Sequence, residues 1–174
     1  MTFSSSKIYL GELNRTALGD LRLAASNFGL LAVEWADSQS RLAAYLLRLK
    51  QPVEQNQKMI QTYGKEIREY LIGKRRHFTF AIDWSTLRPF QQKTLKAVFD
   101  IPYGETRAYA EIAAQVGNPK AYRAVGRANA TNPMPLVIPC HRVIGKDGKL
   151  HGYGGGEGLA TKEWLLIMEG AMIA

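Results

Sequence analysis

One cysteine marks the candidate for nucleophilic chemistry. Cys140 is the only cysteine among 174 residues, and it lies in the stretch IPCHRV at positions 138–143. The imidazole of the adjacent His141 could take the proton of the thiol and leave the thiolate, which is the stronger nucleophile. A lone cysteine in an apolar stretch is also a common core residue. The motif alone therefore leaves a reactive thiol and a buried structural one as open interpretations.

The surroundings of Cys140 in the sequence are basic and offer it no second thiol. One cysteine cannot close an internal disulfide, and zinc sites of the paired-cysteine type need another thiol. Between Arg107 and Lys149 the sequence has seven Lys and Arg against two acidic residues, and the whole chain carries a net charge of +8. This excess is compatible with an anionic partner but does not identify one.

Composition and length place the chain among ordinary globular proteins. It is 46% hydrophobic and 22% charged, and its length suits one domain or two small ones. The first residues, MTFSSSKIYLGELNR, lack the apolar core of a secretory signal, and no apolar run approaches the roughly 18 residues that span a bilayer. We therefore expect a cytoplasmic protein without membrane association.

Residues 1–83 are predicted to form an α/β domain. LGDLRLAAS and GLLAVEWA flank the turn NFG, which predicts a β-hairpin at the start of the chain. Apolar residues at helical spacing predict helices over 38–51 and 58–73, and HFTFAIDW at 77–84 alternates as a strand does. The boundary is placed near Trp84, ahead of a helix that starts around Pro89, so 84–174 form a second domain.

The second domain is predicted to be mostly helical and to contain a helix-turn-helix. RAYAEIAAQV at 107–116 has apolar residues on one face and ends at Gly117, and KAYRAVGRANA at 120–130 follows the turn GNP. Ala121, Ala124, Val125 and Ala128 are predicted on the apolar face of the second helix. Its small residues would let the backbone enter a narrow groove of DNA. A two-helix hairpin with solvated arginines remains the alternative.

The segment before Cys140 is predicted to be a short buried strand. Pro133 and Pro135 exclude a helix, and the apolar run at 136–138 indicates a strand that ends at Cys140. Adjacent side chains of a strand point to opposite faces. His141 can then act on Cys140 only where the chain turns or a water bridges the two.

Several motifs together resemble the O6-alkylguanine-DNA alkyltransferase family, also called methylated-DNA–protein-cysteine methyltransferases. They are IPYGETRAYAEIA, GNPKAYRAVG, NP at 132–133, PCHRV, GYGGG and KEWLLIMEG, which occur in this order over roughly residues 88–170. The first domain is similar only loosely, to the family's N-terminal domain with a ribonuclease-H-like sheet. The implied fold is α+β, with this domain followed by a helical domain that carries a winged-helix-like helix-turn-helix.

The resemblance implies an irreversible, single-turnover transfer of an alkyl group from O6 of guanine to Cys140; activity on O4-alkylthymine is left open. His141 would accept the thiol proton through a water, and Glu169 would orient this histidine. Asn132 would join the helix-turn-helix to the active-site strand through its amide. Tyr109 would donate its hydroxyl to the leaving guanine and help to rotate the nucleotide out.

The resemblance also implies how the protein binds double-stranded DNA. The second helix, including Ala124, would enter the minor groove, and the alkylated base would be flipped out of the stack. Arg123 would fill the gap that the base leaves, and Lys120 and Arg127 are predicted to contact phosphates. We expect a monomer, with cooperative binding along DNA left open.

A pocket for the alkylated base is implied around the loop HGYGGG. Tyr153 and the backbone of Gly154 and Gly155 would face the base, although many relatives have a serine at the position of Gly154. Three further residues, Val143, Lys162 and Asn129, are predicted to belong to the pocket. No cofactor is expected, and no metal, because the first domain has no cysteine and one histidine.

Two other functions are alternatives, namely sensing of damaged bases without repair and hydrolysis by a cysteine nucleophile. Proteins related to the alkyltransferases sense damaged bases without repairing them, but they replace the reactive cysteine, and here Cys140 is present. A cysteine hydrolase would need an acyl intermediate that water cleaves, and it usually draws its base from elsewhere in the chain.

Within the cytoplasm of a bacterial or archaeal cell, the protein would be associated with the nucleoid.

Overall fold

The computed structural model describes residues 6–173 and divides the chain into two compact units, Met1–Thr86 and Leu87–Ala174. This division lies slightly later in the chain than the boundary predicted near Trp84. The first five residues of the stretch MTFSSSKIYLGELNR, which lacks a signal-like core, lie outside the described residues. Within 6–173 no helix is long and apolar enough to cross a bilayer.

The first unit is built on a four-stranded sheet. Its strands are β1 (Ile8–Thr16), β2 (Gly19–Ser26), β3 (Gly29–Trp35) and β4 (Val53–Gln55), in the spatial order β3-β2-β1-β4. The first three strands are antiparallel neighbours, and β4 pairs parallel with β1. Because parallel pairing requires a crossover, the chain passes through a helix between β3 and β4.

Two helices cover opposite faces of this sheet. They are α1 (Gln39–Leu49) and α2 (Gln57–Leu71). Ala24 of β2 belongs to the buried cluster that includes α1, whereas its neighbour Leu23 faces Gly64 of α2. Successive side chains of a strand point to opposite faces, so α1 and α2 lie on different sides. Both helices confirm the predictions over 38–51 and 58–73.

Two strand predictions in this unit need correction. The predicted hairpin forms as β2 and β3, but it does not start the chain, because β1 precedes it and pairs with β2. The stretch 77–84 is not a strand, and only Ile82 forms a single bridge, to Leu30. The buried carboxylate of Glu66 accepts from both the backbone N–H and the hydroxyl of Thr79, so a side chain holds the start of this segment, and two backbone hydrogen bonds to Leu30 hold its end.

The second unit holds the predicted helices and one small sheet. The helices are α3 (Pro89–Phe99), α4 (Tyr109–Gln115), α5 (Tyr122–Ala130) and α6 (Leu159–Met168). The two strands β5 (Arg107–Ala108) and β6 (Val143–Ile144) pair in parallel, which brings the start of α4 beside the residues that follow Cys140. The fold is therefore α+β, with a sheet domain followed by a mostly helical domain.

Helices α4 and α5 form the predicted helix-turn-helix. The turn between them contains Gly117, whose φ of +81° favours glycine, and the amide N–H of Asn118 donates to the carbonyl of Ala113 to close the helix end. Val125 and Ala128 of α5 are buried as predicted. Ala124 is exposed, so its predicted place on the apolar face is wrong and it lies on the outer side of the helix.

Candidate active site

Cys140 lies at the first position of a 3₁₀ turn, Cys140–Arg142, and is 7% exposed. The predicted strand at 136–138 is wrong, although the burial that the apolar run indicated is present. The N–H of Ile138 donates to the carbonyl of Met134, so this segment folds on itself and does not pair with a neighbour. Two prolines remove backbone donors, and Leu136 turns the chain at a φ of +74°.

The turn at Cys140 fulfils one of the two conditions set for His141. The chain is not extended at these residues, so the strand geometry that would direct the two side chains to opposite faces does not apply. Nε2 of His141 lies 2.9 Å from Oε1 of Glu169, and both side chains are completely buried. Glu169 directly follows α6.

A turn before α4 fixes the backbone around Glu169. Gly104 has a φ of +80°, and a Cβ atom at this position would lie 3.0 Å from the carbonyl oxygen of Glu169. The N–H of Gly104 donates to Oε2 of Glu169 at 3.4 Å, and the hydroxyl of Tyr103 donates to the carbonyl of Met168 at 3.3 Å. The stretch IPYG therefore contributes to the site by holding the acid in place.

Arg142 is a site residue that the sequence analysis missed. Its Nε and Nη2 donate to the two carboxylate oxygens of Glu169 at 2.8 and 2.9 Å, and Nη1 donates to the carbonyl of Ile101 at 2.5 Å. The guanidinium carbon also lies 5.7 Å from the ring centroid of Tyr103. The signal in the sequence was an arginine within the mostly apolar motif IPCHRV, because a charge that becomes buried nearly always has a partner of opposite charge.

The electrostatics of the group favour an ionised Glu169 and a neutral His141. Burial alone raises the pKa of Glu169, but hydrogen bonds from His141 and Arg142 and the positive charge of Arg142 outweigh it, so the pKa lies well below its ordinary value. Burial lowers the pKa of His141, against the opposing effect of Glu169. An ionised carboxylate only accepts hydrogen bonds, so Nε2 of His141 carries the proton and Nδ1 carries the lone pair of a base.

Asn132 connects the end of α5 to the segment that leads to Cys140. Its Nδ2 donates to the carbonyl of Ile138 at 2.9 Å, and its Oδ1 accepts from the N–H of Met134 at 2.9 Å. The side chain is 2% exposed. Asn132 therefore lies where the resemblance placed the joint between the helix-turn-helix and the nucleophile.

We expect Asn132→Ala to destabilise the protein by about 1 to 3 kcal/mol, because it leaves the buried N–H of Met134 without a partner and leaves the Ile138 carbonyl only the N–H of Cys140 as a donor. Asn132→Asp should also destabilise the protein, because it keeps the acceptor for the Met134 N–H but sets a buried carboxyl oxygen against the Ile138 carbonyl. Urea unfolding of the three proteins measures the difference. Equal stability of Asn132→Ala and the unaltered protein would contradict the role of this joint.

Cys140 opens onto a cavity of about 740 Å³. Among the residues that the structure describes, those lining it include Tyr109, Tyr122, Gly126, Asn129, Cys140, Lys146, His151, Tyr153 and Gly154. Three of the predicted pocket residues, Asn129, Tyr153 and Gly154, therefore line the same space as the nucleophile. Gly155, Val143 and Lys162 are buried and are not part of its lining.

Tyr109 stands at the start of α4 and reaches the cavity. The carboxylate of Glu111 accepts from the N–H of Ala108 at 2.6 Å, which fixes the first turn of this helix. The Tyr109 hydroxyl donates to the carbonyl of His151 at 3.4 Å. Burial, with a smaller contribution from the negative charge of Cys140, raises the pKa of Tyr109, so its hydroxyl remains a proton donor at neutral pH.

The two remaining buried polar residues of the predicted pocket have distinct partners. Asn129 donates from Nδ2 to the carbonyl of Val125 within α5 at 3.0 Å. Lys162, which is fully buried, donates to the carbonyls of Val143 at 2.6 Å and His151 at 2.9 Å. Burial lowers the pKa of Lys162 to about 8, opposed by the negative charge of Cys140.

The predicted DNA-binding residues lie together on the exposed side of α5 and in the turn before it. Lys120, Arg123, Ala124 and Arg127 are all exposed. The guanidinium carbon of Arg123 lies 5.9 Å from the ring centroid of Tyr122, which lines the cavity. A positively charged surface that includes the small side chain of Ala124 therefore adjoins the opening of the cavity that leads to Cys140.

Within residues 6–173 no three His, Cys, Asp or Glu side chains lie close enough together to hold a metal ion. His77, the one histidine of the first domain, is exposed.

Comparison with known proteins identifies the family. The sequence profile for the 6-O-methylguanine DNA methyltransferase ribonuclease-like domain matches residues 10–84, and that for the DNA binding domain matches residues 89–171. A methylated-DNA–protein-cysteine methyltransferase of Methanosarcina barkeri is 38% identical over 160 residues, which cover 91% of this chain and 95% of the relative. The constitutive Bacillus subtilis enzyme of the same name is 49% identical over 105 residues, 60% of this chain and 62% of the relative.

A solved structure supports the same relationship. The Mycobacterium tuberculosis OGT in complex with DNA has a TM-score of 0.75 and 36% identity, and the match covers 95% of this chain and 93% of that chain. The resemblance stated from the sequence motifs is thus confirmed over both domains. Because the similarity extends over nearly the full length of both proteins, the chain belongs to the 6-O-methylguanine DNA methyltransferase family.

Proposed function

We propose that the protein repairs DNA by transferring an alkyl group from O6 of guanine to the sulfur of its own Cys140, once per molecule. One observation carries the proposal. The only cysteine of the chain lies on the wall of a cavity, in a turn whose next residue is a buried histidine bonded to a carboxylate. A relative that is 38% identical is named a methylated-DNA–protein-cysteine methyltransferase.

The transfer is a displacement at the alkyl carbon. The sulfur of Cys140 forms a bond to this carbon as the bond from carbon to O6 of guanine breaks, and the electron pair of that bond stays on the guanine. The proton of the thiol passes to Nδ1 of His141 through a water. The guanine anion takes up a proton on leaving, so the sum of the reaction is one alkyl group exchanged for one proton.

His141 and Glu169 make proton removal favourable. Glu169 holds His141 by Nε2, which presents the basic Nδ1, and its negative charge stabilises the imidazolium that forms. Arg142 keeps Glu169 ionised throughout. Tyr109 would lower the barrier on the other side of the reaction, because a hydrogen bond to the ring stabilises negative charge as it develops on the leaving guanine.

The proposal includes binding of duplex DNA through α5 in the minor groove with the target nucleotide flipped into the cavity. A guanine inside the stack cannot reach a buried thiol, so it has to leave the helix, at a cost of a few kcal/mol. The exposed arginines and alanine of α5 and the nearby opening of the cavity support this arrangement. A DNA complex of a relative that is 36% identical supports DNA as the partner.

We expect Arg123→Ala to slow repair of duplex DNA by at least about 10-fold while leaving the reaction with benzylguanine within about 2-fold, because its role is to replace the flipped base in the stack. Single-turnover rates on the two substrates measure this difference. With the duplex at a saturating concentration, Arg127→Ala is the matched control from the same helix, because the loss of a phosphate contact weakens binding but should leave the rate of the bound protein within about 2-fold. Equal losses on both substrates would refute the proposed role.

Lys120 and Arg127 are expected to contact phosphates. Replacing either residue with alanine should weaken binding of any duplex sequence and reduce the slope of log K against log salt by about 1. Titration of Cys140→Ala protein, which cannot react, with a labelled duplex at several salt concentrations gives the slope. An unchanged slope would exclude the residue from the phosphate contacts.

The direct test is the intact mass of the protein after incubation with a duplex that contains one O6-methylguanine. We expect a gain of one methylene group on Cys140 and no hydrolysis of ester substrates. An adduct on another residue, or ester turnover without an adduct, would contradict the proposal.

Gel filtration is expected to give a monomer, and cell fractionation is expected to place the protein in the cytoplasm with the nucleoid.

A further inference from the structure

Lys162 is a buried cation that the mechanism above does not use. It projects from α6 and is fully buried, although burying an ammonium group is costly unless it is well bonded. Its Nζ donates at 2.6 Å to the carbonyl of Val143, in the strand that follows the Cys140 turn, and at 2.9 Å to the carbonyl of His151, in the loop that lines the cavity. One side chain thus ties the nucleophile segment to the pocket loop.

The carbonyl of His151 accepts from a second donor, which is the hydroxyl of Tyr109. This bond is long, at 3.4 Å, whereas the bond from the Lys162 ammonium is short and charge-assisted. The Lys162 Nζ also lies 5.9 Å from the centroid of the Tyr109 ring. The Tyr109 hydroxyl, which is proposed to donate a hydrogen bond to the leaving guanine, is therefore the weaker of the two donors to the His151 carbonyl.

We propose that Lys162 is a positioning residue that acts through Tyr109. It holds the His151 carbonyl in place and satisfies it, so that the Tyr109 hydroxyl can turn from this carbonyl to the base without leaving an acceptor unpaired. The inference rests on the proposed function, because it assigns Lys162 a role in presenting the donor for the leaving guanine.

This arrangement lowers the free-energy cost of moving the Tyr109 hydroxyl away from the His151 carbonyl. A carbonyl oxygen has two lone pairs, and after Tyr109 departs the stronger of its two hydrogen bonds remains. Without Lys162, the loop loses its bond to the Val143 strand, and the Tyr109 hydroxyl becomes the donor that holds His151. The tyrosine would then be retained by the loop and withheld from the base.

A double-mutant cycle tests this coupling. Lys162→Met has a similar length and no donors, and Tyr109→Phe removes only the hydroxyl. We expect Lys162→Met to slow single-turnover transfer from saturating benzylguanine by about 10-fold in the unaltered background, but by about 2-fold or less when Tyr109 is already phenylalanine. A purely structural role of Lys162 would give the same fold-loss in both backgrounds, and that result would overturn the proposal.

Lys162→Gln keeps one donor and serves as the second variant should the methionine protein fail to fold. It should show the same non-additivity with a smaller loss. Stability by urea unfolding gives an independent readout that does not need transfer activity. Tyr109→Phe should unfold close to the unaltered protein, because Lys162 still holds the loop, and Lys162→Gln should be clearly less stable. A Tyr109→Phe protein destabilised as much as Lys162→Gln would refute the division of roles.

The experiments separate this inference from the proposed function. If the unaltered protein gains no alkyl group, the proposed function fails and the coupling in transfer fails with it. If the unaltered protein does gain one alkyl group but the two substitutions are additive, only the role of Lys162 is rejected.

Discussion

Replacing Cys140 with alanine is expected to abolish alkyl transfer completely while the protein still binds DNA. The sulfur is the atom that accepts the alkyl group, and no second thiol exists in the chain to replace it. The displacement leaves Cys140 as a thioether, which is neither a thiolate nor an acyl group that water removes. The unaltered protein should therefore accept one alkyl group per molecule and then stop.

Intact mass at increasing ratios of O6-methylguanine duplex to protein measures this endpoint. The adduct should saturate at one per molecule, and a second addition of duplex should give no further repair. His141→Ala is the informative comparison, because it should slow the reaction by about 100-fold, as expected for loss of a general base, without changing the endpoint. Repair of several equivalents by the unaltered protein would rule out the mechanism.

Glu169→Gln is expected to have the second-largest effect, on stability and rate together. The carboxylate lies between His141 and Arg142, and its loss leaves the Arg142 guanidinium buried without a counter-charge. Breaking a buried ion pair by removing one partner costs about 3 to 5 kcal/mol. Transfer should also slow by about 100-fold, because His141 loses the negative charge that stabilises its protonated form.

The matched control is Glu163→Gln, an exposed position on α6, the helix that Glu169 follows, which should alter stability and rate little. Urea unfolding and single-turnover transfer at saturating benzylguanine give the two measurements. A Glu169→Gln protein that is as stable and as fast as Glu163→Gln would show that the buried pair contributes to neither.

The pH dependence of stability follows from the same carboxylate. The pKa of Glu169 is lowered in the folded protein relative to its ordinary value of 4.5, so the folded state favours the ionised form. This stabilisation is fully present above about pH 4.5 and is lost as the pH falls toward the lowered folded pKa. Glu169→Gln should lack this part of the acid dependence, so the difference in stability between the two proteins should shrink as the pH falls.

The helices were predictable because their signals are local. The helices α1, α2, α3, α4 and α5 follow from apolar spacing, Pro89 at a helix start and Gly117 in a turn, each of which depends on a few neighbouring residues. The strands were less predictable. The local pattern did not predict β1, whose pairing depends on a partner strand on each side. The segment at 77–84 alternates as a strand does but lacks a neighbouring strand along its length.

The sequence by itself determined the family, because its motifs are specific, and through that resemblance it pointed to Cys140, the one cysteine, as the nucleophile. It did not determine how the catalytic residues meet. Glu169 lies 28 positions after His141, and Arg142 joins them only because a buried turn and the end of α6 come together. Lys162 likewise has its partners at Val143 and His151. These groups contact one another through long-range packing, and the pairing of buried charges depends on distances that spacing along the chain does not encode.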